Sequence, residues 1–248
     1  MLIKFICCDV FARIACDLVA RSPHIIDLEF VPMLAHTKPA TLNRMIADKI
    51  SESFSESGRK YEALILGYGL CGNSVIGLSC PVPMIIPRAH DCCTIQLGSK
   101  ERFAAVFGDM LSARWSSTGY HERCHALGSA NDDEEQLASY KTSTQYMKYV
   151  EQYGEEDADY IWETMHPAME TDKGVYIKID GFEYSNALEE YKSRLDKMDK
   201  QLIVADGDVS MLKALIDGEW DDGRFLIVPP GKKIAGIYDM DEVMAAGD

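Results

Sequence analysis

The sequence predicts an α/β fold, in which a mainly parallel, Rossmann-like sheet carries helices on both faces and a mostly helical insertion interrupts the chain. Short apolar segments alternate with segments whose apolar residues recur at helical spacing. The connections between them are short, as in βαβ units. One apolar segment, residues 61–69, is almost continuous, which is typical of a strand buried on both faces of a parallel sheet.

Strands and helices are predicted in turn along the first half of the chain. The four strands lie at residues 2–7, 27–34, 61–69 and 82–90. The helices lie at residues 9–22, 38–57 and 94–111, and in the first of them the apolar residues Val10, Phe11, Ile14 and Leu18 fall on one face. The alternation returns late in the chain, with a strand at 201–208, a helix at 209–220 and a strand at 224–234.

The middle of the chain differs from both ends. Residues 113–200 are acidic and mostly helical in pattern, and only 174–184 resemble a strand. We interpret the acidic runs as solvated helix faces. The predicted organisation is therefore an α/β core formed by residues 1–112 and 201–248, with 113–200 as an excursion of the same domain.

The composition and the net charge argue against several classes of function. The 248 residues carry a formal net charge of −15, which argues against nucleic acid as a partner because phosphate contacts need clustered Lys and Arg. No apolar run reaches the length of about 18 residues expected for a membrane span. The apolar N-terminal segment is interrupted by Asp9, Arg13 and Asp17, so a signal peptide is not expected and we expect a cytoplasmic protein.

Eight cysteines are more than packing requires in such a protein. In a reducing compartment, grouped cysteines favour metal or redox chemistry over structural disulfides. We expect Cys16, on the inner face of the first helix, to be a small buried hydrophobe. The same is expected of Cys80 and Cys124, which have no ligand-like neighbours.

Four successive strands each end in a Cys or a His. The first ends in residues 7–9 (CCD), the second presents His36, the third presents Cys71 and the fourth ends in residues 90–93 (HDCC). The carboxyl ends of parallel strands meet at one edge of a sheet, where ligands bind. The sequence therefore predicts one shared site at this edge.

These residue types suit a soft metal. Thiolate and imidazole ligands select Zn²⁺ or an iron–sulfur centre over Mg²⁺ or Ca²⁺. We predict a zinc site whose ligands are Cys8, Cys71, His90 and Cys92. An open coordination position would let the ion activate a substrate thiol or a water molecule.

The segment GYGLCGN, residues 67–73, surrounds Cys71 with glycines that allow a sharp turn and a close approach to a ligand. Gly69, Gly72 and Asn73 are the residues we expect to contact a bound group. The alternative is a simple β–α turn with a packed Cys71. A phosphate site is not indicated, because no P-loop lysine follows the segment.

His90 and Cys92 are two residues apart, so on an extended segment both side chains would point to the same side. A histidine hydrogen-bonded to Asp91 or to the backbone is the alternative. Arg88 would lie on the same face and could hold a carboxylate or a phosphate.

Each cysteine pair is expected to supply one ligand, because adjacent strand residues point to opposite faces. We favour Cys8 over Cys7, since it lies further along the strand. We favour Cys92 over Cys93, since it is in phase with His90.

Three further residues have open roles. His36 could be a fifth ligand, a group that supports the ligands, or a general base. Asp206 and Asp208 follow the fifth strand at the same predicted edge, and they could either cap the next helix or touch the site.

The main enzymatic alternative to a metal is a Cys–His nucleophile system. It would use Cys71 or Cys92, activated by one of the two histidines.

The motifs of this chain resemble those of a family known as domain of unknown function 1638. The matching stretches are LAHTKP (34–39), GYGLCGNS (67–74), PRAHDCCTIQLGSKE (87–101), and a late GD–W–PPG pattern within 207–231. Cys8-Asp9 also matches. The chain departs from the family pattern at ARWSSTGYHER (113–123) and at Ile14, where a Glu is usual.

The resemblance implies a link to corrinoid-dependent methyltransferase systems and hence to one-carbon metabolism. The His-x-Cys pair is also similar to the zinc motif of thiol-alkylating methyltransferases. The resulting hypothesis is a zinc protein acting in methyl transfer or the handling of a methylated small-molecule substrate, with His36 and Arg88 in the pocket and a corrinoid protein or methyltransferase as possible partner. The alternatives are an accessory protein that binds an iron–sulfur cluster or a corrinoid, and a metal-free Cys–His hydrolase or transferase.

Overall fold

The computed structural model describes residues 1–33, 38–55, 58–108, 110, 113–126, 144–165, 172–237 and 242–247. Its strands are β1 (Leu2–Cys8), β2 (Ile25–Val31), β3 (Ala63–Gly67), β4 (Met84–Pro87), β5 (Arg114–Ser117), β6 (Lys173–Lys178), β7 (Gln201–Asp206), β8 (Phe225–Val228), β9 (Lys233–Gly236) and β10 (Met244–Gly247). Its helices are α1 (Ala12–Arg21), α2 (Pro39–Ser53), α3 (Cys92–Leu97), α4 (Lys100–Phe107), α5 (Thr118–Ala126), α6 (Thr144–Tyr153), α7 (Glu155–Met165), α8 (Ala187–Lys197) and α9 (Ser210–Asp217). A 3₁₀ turn, Asp9–Phe11, joins β1 to α1.

The first sheet has the strand order β2-β1-β3-β4-β8, in which the first four strands are parallel and β8 is antiparallel to β4. The crossovers through α1 and α2 run in opposite directions along it. Right-handed connections therefore place the two helices on opposite faces. Strands β3 and β4 are buried throughout, as expected between two helical layers. The fold class predicted from the sequence, α/β with a mainly parallel sheet, is confirmed.

A second parallel sheet has the order β5-β6-β7. Side chains of β6 alternate between its two faces. Val175 and Ile177 join the core of the first sheet, whereas Tyr176 packs with Tyr191 and Leu195 of α8. Strand β5 was not expected from the sequence, and residues 201–206 were expected to extend the first sheet.

Strands β9 and β10 form a small antiparallel sheet beside the first one. An isolated β-bridge between Lys233 and Ser79 connects this small sheet to the loop that precedes β4. None of the helices within the described part of the chain has the length and apolar character needed to cross a membrane.

Candidate functional site

The candidate site lies at the topological switch point of the first sheet. Strands β1 and β3 are neighbours, and the connection after β1 leads to β2 on one side whereas the connection after β3 leads to β4 on the other. Ligands of open α/β sheets bind beyond the carboxyl ends of such strands. Here β1 ends at Cys8, and Gly67 at the end of β3 pairs with Cys7.

The two adjacent cysteines of β1 point in different directions. The Cys7 thiol donates a hydrogen bond of 3.9 Å to the carbonyl of Gly67, and a Cβ on that glycine would stand 2.4 Å from the sulfur. The sulfur of Cys8 instead interacts electrostatically with Cys71. The structure thus directs Cys8 toward the loop that follows β3.

The loops after β3 and β4 pair with each other. The N–H of Leu70 donates to the carbonyl of Ala89, and the N–H of Cys71 donates to that of His90, both at 2.8 Å. A Cβ at Gly69 would lie 2.6 Å from the Ala89 carbonyl oxygen, so only glycine allows this approach. Gly69 therefore positions the loops against each other.

Three consecutive residues after this pairing have left-handed backbone angles: Cys71 (φ 47°), Gly72 (φ 64°) and Asn73 (φ 70°). Such angles cost about 1–3 kcal/mol at a non-glycine residue and persist only when neighbours enforce them. The Ser74 hydroxyl donates to the Cys71 carbonyl at 2.6 Å, and the Asn43 amide donates to the Ser74 carbonyl at 2.8 Å. These bonds hold Cys71 in place. Gly72 and Asn73 are exposed, and their contact with a bound group stays a prediction.

The expected extended segment from His90 to Cys92 is not present. Strand β4 ends at Pro87, and Cys92 is the first residue of helix α3. Asp91 caps this helix, since its carboxylate accepts a 2.9 Å hydrogen bond from the N–H of Thr94. The prediction that strand geometry aligns His90 with Cys92 is therefore wrong; the start of a helix sets the position of Cys92.

The structure nevertheless brings three thiols together. Burial raises the pKa of Cys71 to about 12, and burial raises the pKa of Cys8 and of Cys92 well above the usual value. The neighbouring Cys71 raises the pKa of Cys8 further, and both raise that of Cys92. The pKa of Cys93 is raised by burial and by Asp91, not by this group. A negative charge on one of the three sulfurs therefore opposes a charge on the next.

The backbone carbonyl of His90 accepts the hydrogen bond from the N–H of Cys71, so the two residues are neighbours across the paired loops. The Nε2 atom of His90 is buried and has no hydrogen-bond partner among the residues that the structure describes. Buried ring nitrogens are normally paired, so this atom is suited to receive a ligand.

The donor set of three thiols and one imidazole fits zinc in kind. As the side chains stand, no group of three or more His, Cys, Asp or Glu within the described ranges is arranged to hold a metal ion. Binding would therefore require the sulfurs to rotate toward one another.

Arg88 has a different place from the one expected. Its guanidinium donates to the carbonyls of Asp222 at 2.9 Å, Glu242 at 2.8 Å and Met244 at 2.7 Å. These bonds tie the C-terminal segment and the turn before β8 to the first sheet. The expectation that Arg88 lines the pocket is corrected: the residue is a tether between backbone segments.

Arg123 of α5 is a cation near Cys8 that the sequence did not indicate. Its Nε donates a 3.0 Å hydrogen bond to the backbone carbonyl of Asp9 and lies 3.8 Å from the side-chain carboxylate of the same residue. The charge of Arg123 lowers the pKa of Cys8, against the larger effect of burial. More than 100 residues separate Arg123 from Cys8 in the chain, so no local motif could have linked them. Fully buried Tyr68 also borders the group, and its pKa is raised by burial and then by Cys8.

Other expected residues lie elsewhere. His36 falls outside the described residues. Asp206 ends β7 in the second sheet, so its expected place at the edge of the first sheet is wrong. The Asp208 carboxylate accepts a 2.7 Å hydrogen bond from the N–H of Ser210, the first residue of α9, although the N-cap position itself is Val209. Cys16 is exposed, contrary to expectation, whereas Cys80 is buried as expected. The side chain of Cys124 is not described.

Fold and site together define an α/β protein with a cluster of buried thiols at the switch point of a parallel sheet. The chain belongs to the family described as "Protein of unknown function (DUF1638)", which it matches over residues 30–216. The matched region contains Cys71, His90 and Cys92, and Cys8 precedes it. No curated protein and no solved structure matches the chain.

Proposed function

We propose that the protein binds a zinc ion through Cys8, Cys71, Cys92 and His90, and acts in methyl transfer or in the handling of a methylated substrate. The observation that carries the proposal is the convergence of three thiols at a sheet edge where ligands bind: burial raises the pKa of each, Cys71 raises that of Cys8, and both raise that of Cys92.

The raised pKa values favour a metal over a free nucleophile. Reactive cysteines have lowered pKa values and stand in electropositive, partly exposed surroundings. A thiol with a pKa of about 12, such as Cys71, is protonated at neutral pH and therefore inert. A bound cation reverses this, because a coordinating thiol is deprotonated outright.

The surrounding residues have defined parts in this proposal. Gly69 lets the two loops approach, and Asn43 holds the strained turn that carries Cys71. The Nε2 of His90 would supply the fourth ligand atom. Arg123 would offset part of the negative charge that three thiolates create.

Methyl transfer is proposed on chemical grounds and on the motif resemblance. A substrate thiol would bind as a fifth ligand or in place of one of the four protein ligands, and zinc would lower its pKa so that a thiolate is available at neutral pH. The thiolate would form the new S–CH₃ bond as the bond between the methyl group and its donor breaks, and the donor would leave with that electron pair. The ordered Cys71 turn would fix the position of that thiol, and the carboxyl edge of the sheet would accept the small-molecule substrate.

The test is metal analysis of protein purified under anaerobic conditions from cells supplied with metals. We expect about one zinc ion per chain and no visible colour. The variant Cys71→Ser should lose the ion, and the matched variant Cys16→Ser, at an exposed cysteine, should keep it.

Metal-free protein that keeps a single thiol reactive in the presence of a chelator would overturn the proposal in favour of a nucleophile. A brown or red protein would instead indicate the iron–sulfur or corrinoid alternative. Retention of zinc by Cys71→Ser would show that the ion binds elsewhere.

A further inference from the structure

A second candidate site lies between the two parallel sheets. A small cavity of about 20 Å³ lies where the chain leaves β1, β5 and β6. Its walls include Val10, Gln96, Thr118, Gly119, Ile179 and Glu183. The carboxyl edge of the second sheet thus contributes to a small pocket against the first. Two of its wall residues follow the thiols closely in the chain, since Val10 comes just after Cys8 and Gln96 lies on the same helix as Cys92.

The wall between the sheets is formed by close backbone contact. A Cβ at Gly119 would stand 2.1 Å from the carbonyl oxygen of Val10, so the first turn of α5 lies directly on the 3₁₀ turn after β1. The contact requires a glycine at this position. The cavity therefore lies beside a specific, closely packed contact between the sheets.

A carboxylate with one remaining place for a donor lines this cavity. The hydroxyls of Thr118 and Tyr176 each donate to Oε2 of Glu183 at 2.9 Å, and the N–H of Ile179 donates to Oε1 at 3.0 Å. A carboxylate has about four acceptor positions, two on each oxygen. Among the residues that the structure describes, the Ile179 N–H is the donor to Oε1, which can accept one more hydrogen bond.

Gln96 supplies the complementary group. The residue is 3% exposed, and its Nε2 has no hydrogen-bond partner within the described part of the chain. A buried donor that stays unpaired costs about 1–3 kcal/mol, and native structures rarely leave one. An acceptor atom in the cavity would remove this cost.

One small group meets both requirements. A hydroxyl accepts a hydrogen bond from Gln96 and donates one to Glu183, whereas an ammonium group cannot accept. The cavity has room for little more than one water-sized group. Only the end of a ligand would enter it, between the apolar side chains of Val10 and Ile179.

The rest of such a ligand has a place outside. Phe182 lines the cavity and also an open cleft of about 400 Å³. The cleft is bordered by the exposed ring of Tyr184, one side of which faces Arg13, and by charged groups that are ion-paired: Asp17 with Arg21, Asp180 with Lys178, and Lys213 with Asp217. Each carboxylate keeps further acceptor positions for a hydroxyl. An aromatic ring can pack on the C–H groups of a polyhydroxylated molecule, and nearby carboxylates can accept hydrogen bonds from its hydroxyls. The cleft is therefore a suitable surface for such a molecule.

We propose that the cavity and cleft around Phe182 form a binding site for a small polyol, with a terminal hydroxyl held between Gln96 and Glu183. The site shares no lining residue with the proposed metal centre, although it adjoins the segments that carry Cys8 and Cys92, and the proposal does not depend on a bound ion.

The experiment uses ligand-observed NMR on the full chain, with ethylene glycol and xylitol as probes. The matched probe is 1,2-dimethoxyethane, which can accept hydrogen bonds but cannot donate them. We expect both polyols to bind, xylitol more tightly because it also fills the cleft, and the diether not to bind.

Two variants decide which residues hold the hydroxyl. Gln96→Leu should weaken xylitol binding at least tenfold, Glu183→Gln should weaken it by a smaller factor because the amide still accepts a hydrogen bond but has no charge, and Gln201→Leu, at an exposed glutamine on β7, should leave it unchanged. Glu183→Gln keeps the size of the side chain, so it serves if Gln96→Leu fails to fold.

Absence of polyol binding, equal binding of the diether, or binding unaffected by both variants would overturn the proposal. In each case the cavity would be a place for one ordered water molecule only. Metal content is unaffected in all of these outcomes, so failure here is distinct from failure of the zinc proposal.

Discussion

The cysteines of this chain are alike in sequence and different in surroundings. Strand alternation correctly separated Cys7 from Cys8, because a one-residue step in a strand reverses the direction of the side chain. The same rule was applied to Cys92 and Cys93, and there it did not hold, since Cys92 begins a helix. Burial, which decides whether a thiol ionises, could not be predicted for Cys16, which proved to be exposed.

At the residue scale we predict that the metal-free protein loses stability at alkaline pH. The unfolded chain releases its thiol protons near the ordinary pKa of about 8.5, whereas the folded chain keeps them because burial raises the pKa of Cys80 to about 11 and of Cys71 to about 12. The stabilisation is complete below about pH 8.5 and is lost as pH rises toward the folded values. Each such thiol lowers the free energy of unfolding by about 1.4 kcal/mol per pH unit in this window.

Chemical denaturation between pH 7 and 10.5 measures this slope. Cys80→Ala should reduce it by the contribution of one proton, and Cys16→Ala, at an exposed site, should not change it. Equal slopes in both variants would contradict the assignment of the effect to buried thiols.

At the element scale, helix α3 begins with a helix-capping pattern that the strand prediction did not take into account. The apolar run before PRAHDCC led to a strand prediction that continued to residue 90, although Asp91 and Thr94 have the spacing of a helix cap. The helix is only six residues long and is buried along its whole length, so its apolar residues show no amphipathic period. Periodicity alone could not distinguish it from a strand.

Two substitutions separate the two effects of Asp91. Asp91→Ala removes the cap and should lower the free energy of unfolding by about 1–2 kcal/mol. Asp91→Asn keeps an acceptor for the N–H of Thr94 and should cost much less. It also removes a charge that raises the pKa of Cys71 and Cys92, so both thiols should ionise at lower pH.

Urea denaturation measures the first effect, and the pH dependence of thiol alkylation measures the second. If Asp91→Asn destabilises as much as Asp91→Ala, the carboxylate has a role beyond capping.

At the scale of the whole molecule, the two parallel sheets are held together by contacts between distant segments. Gly119 lies on Val10, and Arg123, one turn later in α5, reaches the carbonyl of Asp9. The second sheet therefore completes the electrostatic surroundings of Cys8. This arrangement explains why a segment predicted as an acidic excursion contributes a cation to the thiol cluster.

The substitution Gly119→Ala tests the contact between α5 and the 3₁₀ turn after β1. The added methyl group would stand 2.1 Å from the Val10 carbonyl oxygen, so α5 must move away. We expect a loss of about 1–3 kcal/mol in the free energy of unfolding, typical of overpacking, and faster proteolysis between the sheets. Gly223→Ala is the matched control, because its Cβ would meet only the end of the Asp221 side chain, at 3.3 Å. Equal effects of the two substitutions would show that this contact is not tightly packed.

The sequence by itself determined the fold class, most of the strands of the first sheet, and the edge at which Cys8 and Cys71 lie, because apolar periodicity and strand alternation are local properties. Only the tertiary structure decided that β7 joins a second sheet, that Arg88 is a tether, and that Arg123 is a cation near Cys8. These features depend on contacts between segments far apart in the chain. Burial and electrostatic interaction at such contacts are set by the packed molecule, and no short stretch of sequence contains them.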